Sequence, residues 1–118
     1  MSNNKMRVEI KQMWLDALRS GEYKQGKHVL HSGYDNSFCC LGVLCDLHKK
    51  HSINKLNWIL LTINYDFEYD GKLDTLPEIV INWAGLDNNK KLILDKLINY
   101  NDRGYTFLEI SEIIEAEL

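Results

Sequence analysis

Apolar residues recur at intervals of three and four through Met6, Ile10, Met13, Trp14, Ala17 and Leu18, with Arg7, Lys11, Asp16 and Arg19 on the other side. That period predicts an amphipathic helix. Asn3 or Asn4 is placed to cap its first turn, and Ser20-Gly21 supplies a left-handed exit. Residues 22–36 hold turn formers around a short β-capable run, Lys27 to His31, with Ser32-Gly33 as the reversal. Next comes Phe38 to Leu47, FCCLGVLCDL, in which eight of ten residues are apolar and only Asp46 is charged. A helix that is apolar on every face must be enclosed, so this stretch predicts a buried central helix over 38–50, capped by Asp35, Asn36 or Ser37. Gly42 inside it costs about 1 kcal/mol of helix propensity against alanine. The expected reason is a neighbouring backbone packed against the missing side chain.

Beyond the polar stretch His48 to Asn57 the period shortens to two. Ile59, Leu61, Ile63, Tyr65, Phe67 and Tyr69 alternate with Thr62, Asn64, Asp66, Glu68 and Asp70, which predicts a strand that turns at Asp70-Gly71 and returns through Lys72 to Asp74. Pro77 suits the first turn of a helix from Glu78 to Ala84 that buries Val80 and Trp83 and stops at Gly85. Leu92 to Tyr100 reads as a further helix. In the last one Thr106 and Glu109 form a capping box, Phe107, Ile110, Ile113 and Ile114 face inward, and Glu112, Glu115 and Glu117 face water. The expected fold class is α+β: about five helices around a buried central helix, with a small antiparallel sheet or hairpin, in a single domain over 1–118.

Composition adds the setting. At 118 residues the chain is long enough to bury about two thirds of its unfolded surface without staples. Its three cysteines are odd in number and confined to the apolar segment, which argues against a disulfide framework and for a reducing cytoplasm. The start, MSNNKMRVEIK, has no apolar stretch of the signal-peptide kind, and no later run reaches the roughly 18–20 residues that span a bilayer. Net charge is −3, but residues 1–55 carry 9 Lys and Arg against 5 Asp and Glu, whereas 56–118 carry 5 against 12. Such asymmetry marks either a basic face for an anionic partner or two solvated surfaces that attract each other within one fold.

Four constellations carry candidate chemistry. Cys39, Cys40, Cys45, His48 and His51 suggest metal or thiol chemistry, but on one helix Cys40 and His51 stand about 16 Å apart, too far to share an ion. Thiols embedded among Leu41, Val43 and Leu44 lack the electropositive, open setting of a reactive cysteine. Asp66, Glu68, Asp70, Gly71 and Asp74 match part of a calcium loop, yet Pro77 occupies the place of its bidentate glutamate. Leu97 to Ile114 resembles half of a helix-turn-helix, but its second helix is acidic and a phosphate backbone would repel it. The fourth is Arg19, Tyr23, Lys24, Gln25, Lys27, His28 and His31, cations and donors with one aromatic on a glycine-containing connector. This group suits an anion, and its plain alternative is a solvated loop.

WLDALRSGEYKQG (14–26), FCCLGVLCDL (38–47), LPEIVINWAGL (76–86) and NDRGYTFLEISEII (101–114) together resemble a family of small uncharacterised bacteriophage and prophage proteins. The likeness covers most of the chain, and FCCLGVLCDL is its most specific part. Between Leu86 and Leu92 the chain departs from the family, with DNNKK in place of an Asn-Pro-containing segment. The resemblance implies a phage accessory protein in the host cytoplasm and names no ligand. The leading expectation is a non-enzymatic binder that sequesters a host component, a nucleotide immune signal being the candidate. In it Arg19 and Lys27 pair with phosphates, Tyr23 stacks on a base, Gln25 reads an edge, and Lys24 and His28 complete the ligand-binding set. No cofactor and no metal are expected. The expected partner is an anionic small molecule or a host protein, with no membrane and no DNA, and homo-oligomers are compatible. The alternatives are a small nucleotide or nucleic-acid enzyme holding a divalent ion on Asp66, Glu68 and Asp70, and an inhibitor acting on a host protein surface.

Overall fold

A computed structural model describes residues 5–53 and 56–118. In chain order it contains α1 (Val8–Ser20), β1 (Lys24–Gln25), β2 (His31–Ser32), β3 (Ser37–Phe38), α2 (Cys40–His51), β4 (Trp58–Leu61), β5 (Asp66–Tyr69), α3 (Glu78–Ala84), α4 (Lys91–Asp102) and α5 (Phe107–Glu117), with one turn of 3₁₀ helix at Asn88–Lys90. This is the α+β class that the patterns imply.

The apolar decapeptide lies at the centre. Every residue from Cys40 to His48 is buried, and α2 packs against α1, α3, α4 and β3 while α5 closes on α1 and α4. Trp14, Leu30, Val43, Leu44, Val80, Leu97, Ile110 and Ile114 are fully buried around it. Ser20-Gly21 ends α1 as expected, with Gly21 at φ 79°, a conformation that costs glycine no Cβ clash. The expected Asn3 or Asn4 cap lies outside the described residues, and Arg7 is the boundary residue.

The start of α2 is corrected by one feature of the sheet. Ser37 and Phe38 pair as β3, so the helix begins at Cys40 and neither Asp35, Asn36 nor Ser37 caps it. Instead the Cys40 amide donates to Asn101 Oδ1 at 3.2 Å, a cap supplied from α4. Similarly, the run Lys27 to His31 is strand only at His31, because the chain from Gly26 to Leu30 bends over the first turn of α2.

The sheet order is β1-β3-β2-β5-β4, with β1–β3 parallel and the other pairs antiparallel. The alternation from Ile59 to Tyr69 is not one strand. The chain reverses at Thr62 to Tyr65, with Tyr65 at φ 59°, and Trp58 pairs Tyr69, Ile59 pairs Glu68, Leu60 pairs Phe67 and Leu61 pairs Asp66. Opposed residues share a face. The reversal therefore places Trp58 and Leu60 with the core-facing Phe67 and Tyr69, and turns Ile59 and Leu61 to the face of Glu68 and Asp66. Asp70-Gly71 makes the expected tight turn, with both residues at positive φ and Tyr69 bridging Lys72.

The remaining expectations hold with small shifts. α3 follows Pro77, buries Val80, half-buries Trp83 and stops at Gly85. α4 is two residues longer at its C-terminal end than the pattern suggests. In α5, Thr106 Oγ1 accepts from the Glu109 amide at 3.1 Å and Glu109 Oε1 accepts from the Thr106 amide at 2.9 Å, the reciprocal box read from the sequence.

Candidate functional site

Asp46 is the one charged residue of the central decapeptide, and burying it requires partners. It has three. Tyr23 Oη donates to Oδ2 at 2.5 Å, Trp58 Nε1 donates to Oδ1 at 3.0 Å, and Lys50, one helical turn on, places Nζ 3.3 Å from Oδ2. Burial pushes the carboxyl pKa up, but these donors and the Lys50 charge outweigh it and hold Asp46 below the ordinary carboxylate value. Burial and the bond to Asp46 lift the Tyr23 phenol to about 12, so it stays a donor. Lys50 also donates to Tyr23 Oη at 3.2 Å, which helps raise its own pKa.

This network forms one wall of a polar cavity of about 420 Å³, lined by Glu22, Tyr23, Lys24, Asp35, Asn36, Phe38, Asp46 and Lys50. The entry to β1 brings Tyr23 and β1 itself Lys24, the β2–β3 turn brings Asp35 and Asn36, β3 brings Phe38, and α2 brings Asp46 and Lys50. Tyr23 meets Phe38 edge-on at 5.0 Å between ring centres, and the Lys50 ammonium lies 5.3 Å from the Tyr23 ring centre. Lys24 Nζ is 3.5 Å from Asp35 Oδ2 with both side chains open to solvent. Behind Phe38 the sheet stacks its rings: His31 lies parallel to Phe38 at 3.9 Å and to Phe67 at 4.3 Å. His31 Nε2 bonds Asn36 Oδ1 at 2.7 Å, whereas its buried Nδ1 has no partner among the described residues.

The six residues expected to bind a ligand are not gathered in one place. Tyr23 and Lys24 line the cavity. Arg19 turns to α5, where it donates to Ser111 Oγ at 3.0 Å and pairs with Glu115 at 2.7 Å. Gln25 points the other way, donating to Asn101 Oδ1 and the Tyr105 carbonyl and accepting from the Phe107 amide. Lys27 is exposed, and His28 binds Asp102 through its amide at 2.8 Å and its ring at 3.5 Å. Glu22, Asp35, Asn36, Phe38, Asp46 and Lys50 line the same cavity and stand outside the expected ligand set. A readable signal existed for two of them, since Asp46 and Lys50 are an acid and a base spaced i,i+4 at the polar end of an otherwise apolar helix.

The other constellations separate. Cys39, Cys40 and Cys45 are buried free thiols whose pKa burial pushes up, to about 11 for Cys39 and well above the ordinary thiol value for the other two. Asp66 and Glu68 share one face of β5, while Asp70 lies in the following turn. Among the described residues no three His, Cys, Asp or Glu side chains converge as metal ligands, and no helix is long and apolar enough to cross a membrane.

Comparison with known families adds one match: the model described as a domain of unknown function, DUF8296, covers residues 6–118. No curated protein and no solved structure matches the chain.

Proposed function

The chain belongs to the DUF8296 family, and we propose that it is a phage accessory protein, as its sequence resemblance implies, that binds and sequesters an anionic, nucleotide-like small molecule in the cavity between β1, β3 and α2. One observation carries this reading: Lys24 and Lys50 stand at a polar cavity whose wall holds the Tyr23 and Phe38 rings. Lysines suit phosphate and aromatic rings suit a base. The site is also pre-organised. Asp46 fixes Tyr23 and Lys50 before any ligand arrives, so little ordering is left for binding to supply. Among the described residues the Lys24 ammonium is held only by an exposed pair with Asp35, and solvent screens such a pair enough for an incoming phosphate to replace the carboxylate.

The reading moves the phosphate contacts from Arg19 and Lys27, expected from the sequence, to Lys24 and Lys50. The experiment is titration calorimetry with a panel of mono- and dinucleotides, followed by heat release and mass measurement of the recovered compound. Binding that weakens at least about tenfold in both Lys24→Ala and Lys50→Ala, with the compound returned intact, supports sequestration. Binding that both variants leave unchanged would remove the assignment, and release of an altered compound would favour an enzyme.

A further inference from the structure

β4 is an outer strand of the sheet, with one edge paired to β5 and the other free among the described residues. Its residues are Trp58, Ile59, Leu60 and Leu61, and the chain carries no charge and no proline from Asn57 to Tyr65. Ile59 is 55% exposed, Leu60 41% and Ile63 94%. Proteins ordinarily blunt a free edge by keeping it short, as the four residues of β4 do, or with lysine, proline, a bulge or a covering element. None of the charges or the proline is used here, and the register leaves apolar side chains exposed on both faces of the strand.

We propose that β4 is the seam of a two-fold dimer, pairing antiparallel with β4 of a second copy of this chain. Antiparallel pairing about a two-fold axis normal to the sheet keeps the faces continuous, so it matches residues of equal parity. The axis then runs beside Ile59, opposing Ile59 to its own copy and Trp58 to Leu60, or beside Leu60, opposing Ile59 to Leu61. In either register every side chain opposite β4 residues 58–60 is uncharged, so no like charges meet across the seam. The acidic residues of the hairpin, Asp66 and Glu68, lie on β5. Strands are spaced about 4.8 Å apart, which puts the two β5 strands about 14 Å from each other, beyond the Debye length of about 8 Å at physiological salt. Charge thus permits a second copy, and the outward backbone groups of one β4 are the complement of the other, the Trp58 amide exchanging its bond to Asn57 Oδ1 for one across the seam where the register calls on it. This inference rests on the sheet edge and is independent of the cavity and its ligand.

The test combines light scattering after size-exclusion chromatography with cysteine cross-linking of the whole chain. The wild type is expected to double in mass as its concentration rises from low micromolar to sub-millimolar, and Ile59→Lys to remain monomeric with an unchanged circular dichroism spectrum. In the variants Ile59→Cys and Leu60→Cys, the position on the axis brings two Cα atoms within about 4.5–5.5 Å, inside disulfide range, while the other stays out of range. Oxidation is therefore expected to cross-link one of the two variants efficiently and not the other. This readout decides the matter even if Ile59→Lys fails to fold. A wild-type chain that stays monomeric throughout overturns the proposal and leaves the edge to a foreign strand. A dimer in which neither cysteine cross-links also overturns it, by placing the interface elsewhere.

Discussion

The carbonyl oxygen of Leu30 occupies the space into which a Cβ on Gly42 would project. The same oxygen accepts from the Cys39 amide at 3.2 Å, so the chain before β2 is pinned across the first turn of α2 by its backbone. Gly42→Ala sets two effects against each other. Helix propensity favours alanine by about 1 kcal/mol, whereas the new methyl meets backbone, which cannot swing aside as a side-chain tip would, and overpacking costs about 1–3 kcal/mol or more. The clash wins. Because the methyl would overlap backbone atoms outright, the upper end of that range applies, and urea unfolding of Gly42→Ala is expected to show a net loss of about 2 kcal/mol or more.

Asn101 joins three segments. Buried in α4, it donates to the Gly26 carbonyl at 2.8 Å and its Oδ1 accepts from Gln25 at 3.0 Å and from the Cys40 amide at 3.2 Å. Asn101→Ala removes all of these and strands the part-buried Gly26 carbonyl and the buried Cys40 amide at the helix start. With about 1–3 kcal/mol for each of the two orphaned groups and about 1 kcal/mol for the bond to Gln25, a loss of about 3–7 kcal/mol is expected in the same unfolding experiment. Thr106→Ala, which removes an exposed cap, is expected to cost only about 1 kcal/mol.

These two sites show what the residue pattern carries and what it leaves out. Local signals survived folding: the Thr106–Glu109 box, the Gly21 exit, the Asp70-Gly71 turn and the enclosed decapeptide all depend on neighbours in sequence. Asn101 as the cap of α2 did not show, because its partners lie 61 and 75 residues away. The β4–β5 reversal hid for a different reason. A period of two continues unbroken through a four-residue turn, so alternation alone cannot tell one long strand from a hairpin whose faces exchange. At the candidate site, cations clustered in sequence proved to point toward different elements: Arg19 and Gln25 form structural contacts, and Lys50 comes to the cavity from another helix.

Acid should weaken the fold in two stages. Burial holds the His31 and His48 pKa values below the ordinary 6.5, so as pH falls through about 6.5 the unfolded chain takes up protons that the folded one refuses, and stability declines. Asp46 acts lower. Its pKa is below the ordinary carboxylate value, so its contribution is complete above about 4 and is lost as pH falls through its folded-state pKa. Urea midpoints measured from pH 7.5 down to 3 are expected to show both declines. His31→Phe, which keeps the ring stack with Phe38 and Phe67, should flatten the upper one, and Asp46→Asn the lower.

Thiol labelling tests the interior directly. Cys40 and Cys45 are fully enclosed and Cys39 is 5% exposed, and alkylation needs both access and thiolate, each of which burial withholds. Intact mass after treatment with a bulky alkylating reagent is expected to show no adduct on the native chain and three after denaturation. Because labelling must then proceed through opening, its slow native rate reports the population of opened molecules. Gly42→Ala and Asn101→Ala should accelerate it by about tenfold for each 1.4 kcal/mol of lost stability. Prompt labelling of the native wild type would mean that α2 is open to solvent, and the central place given to the apolar decapeptide would fail.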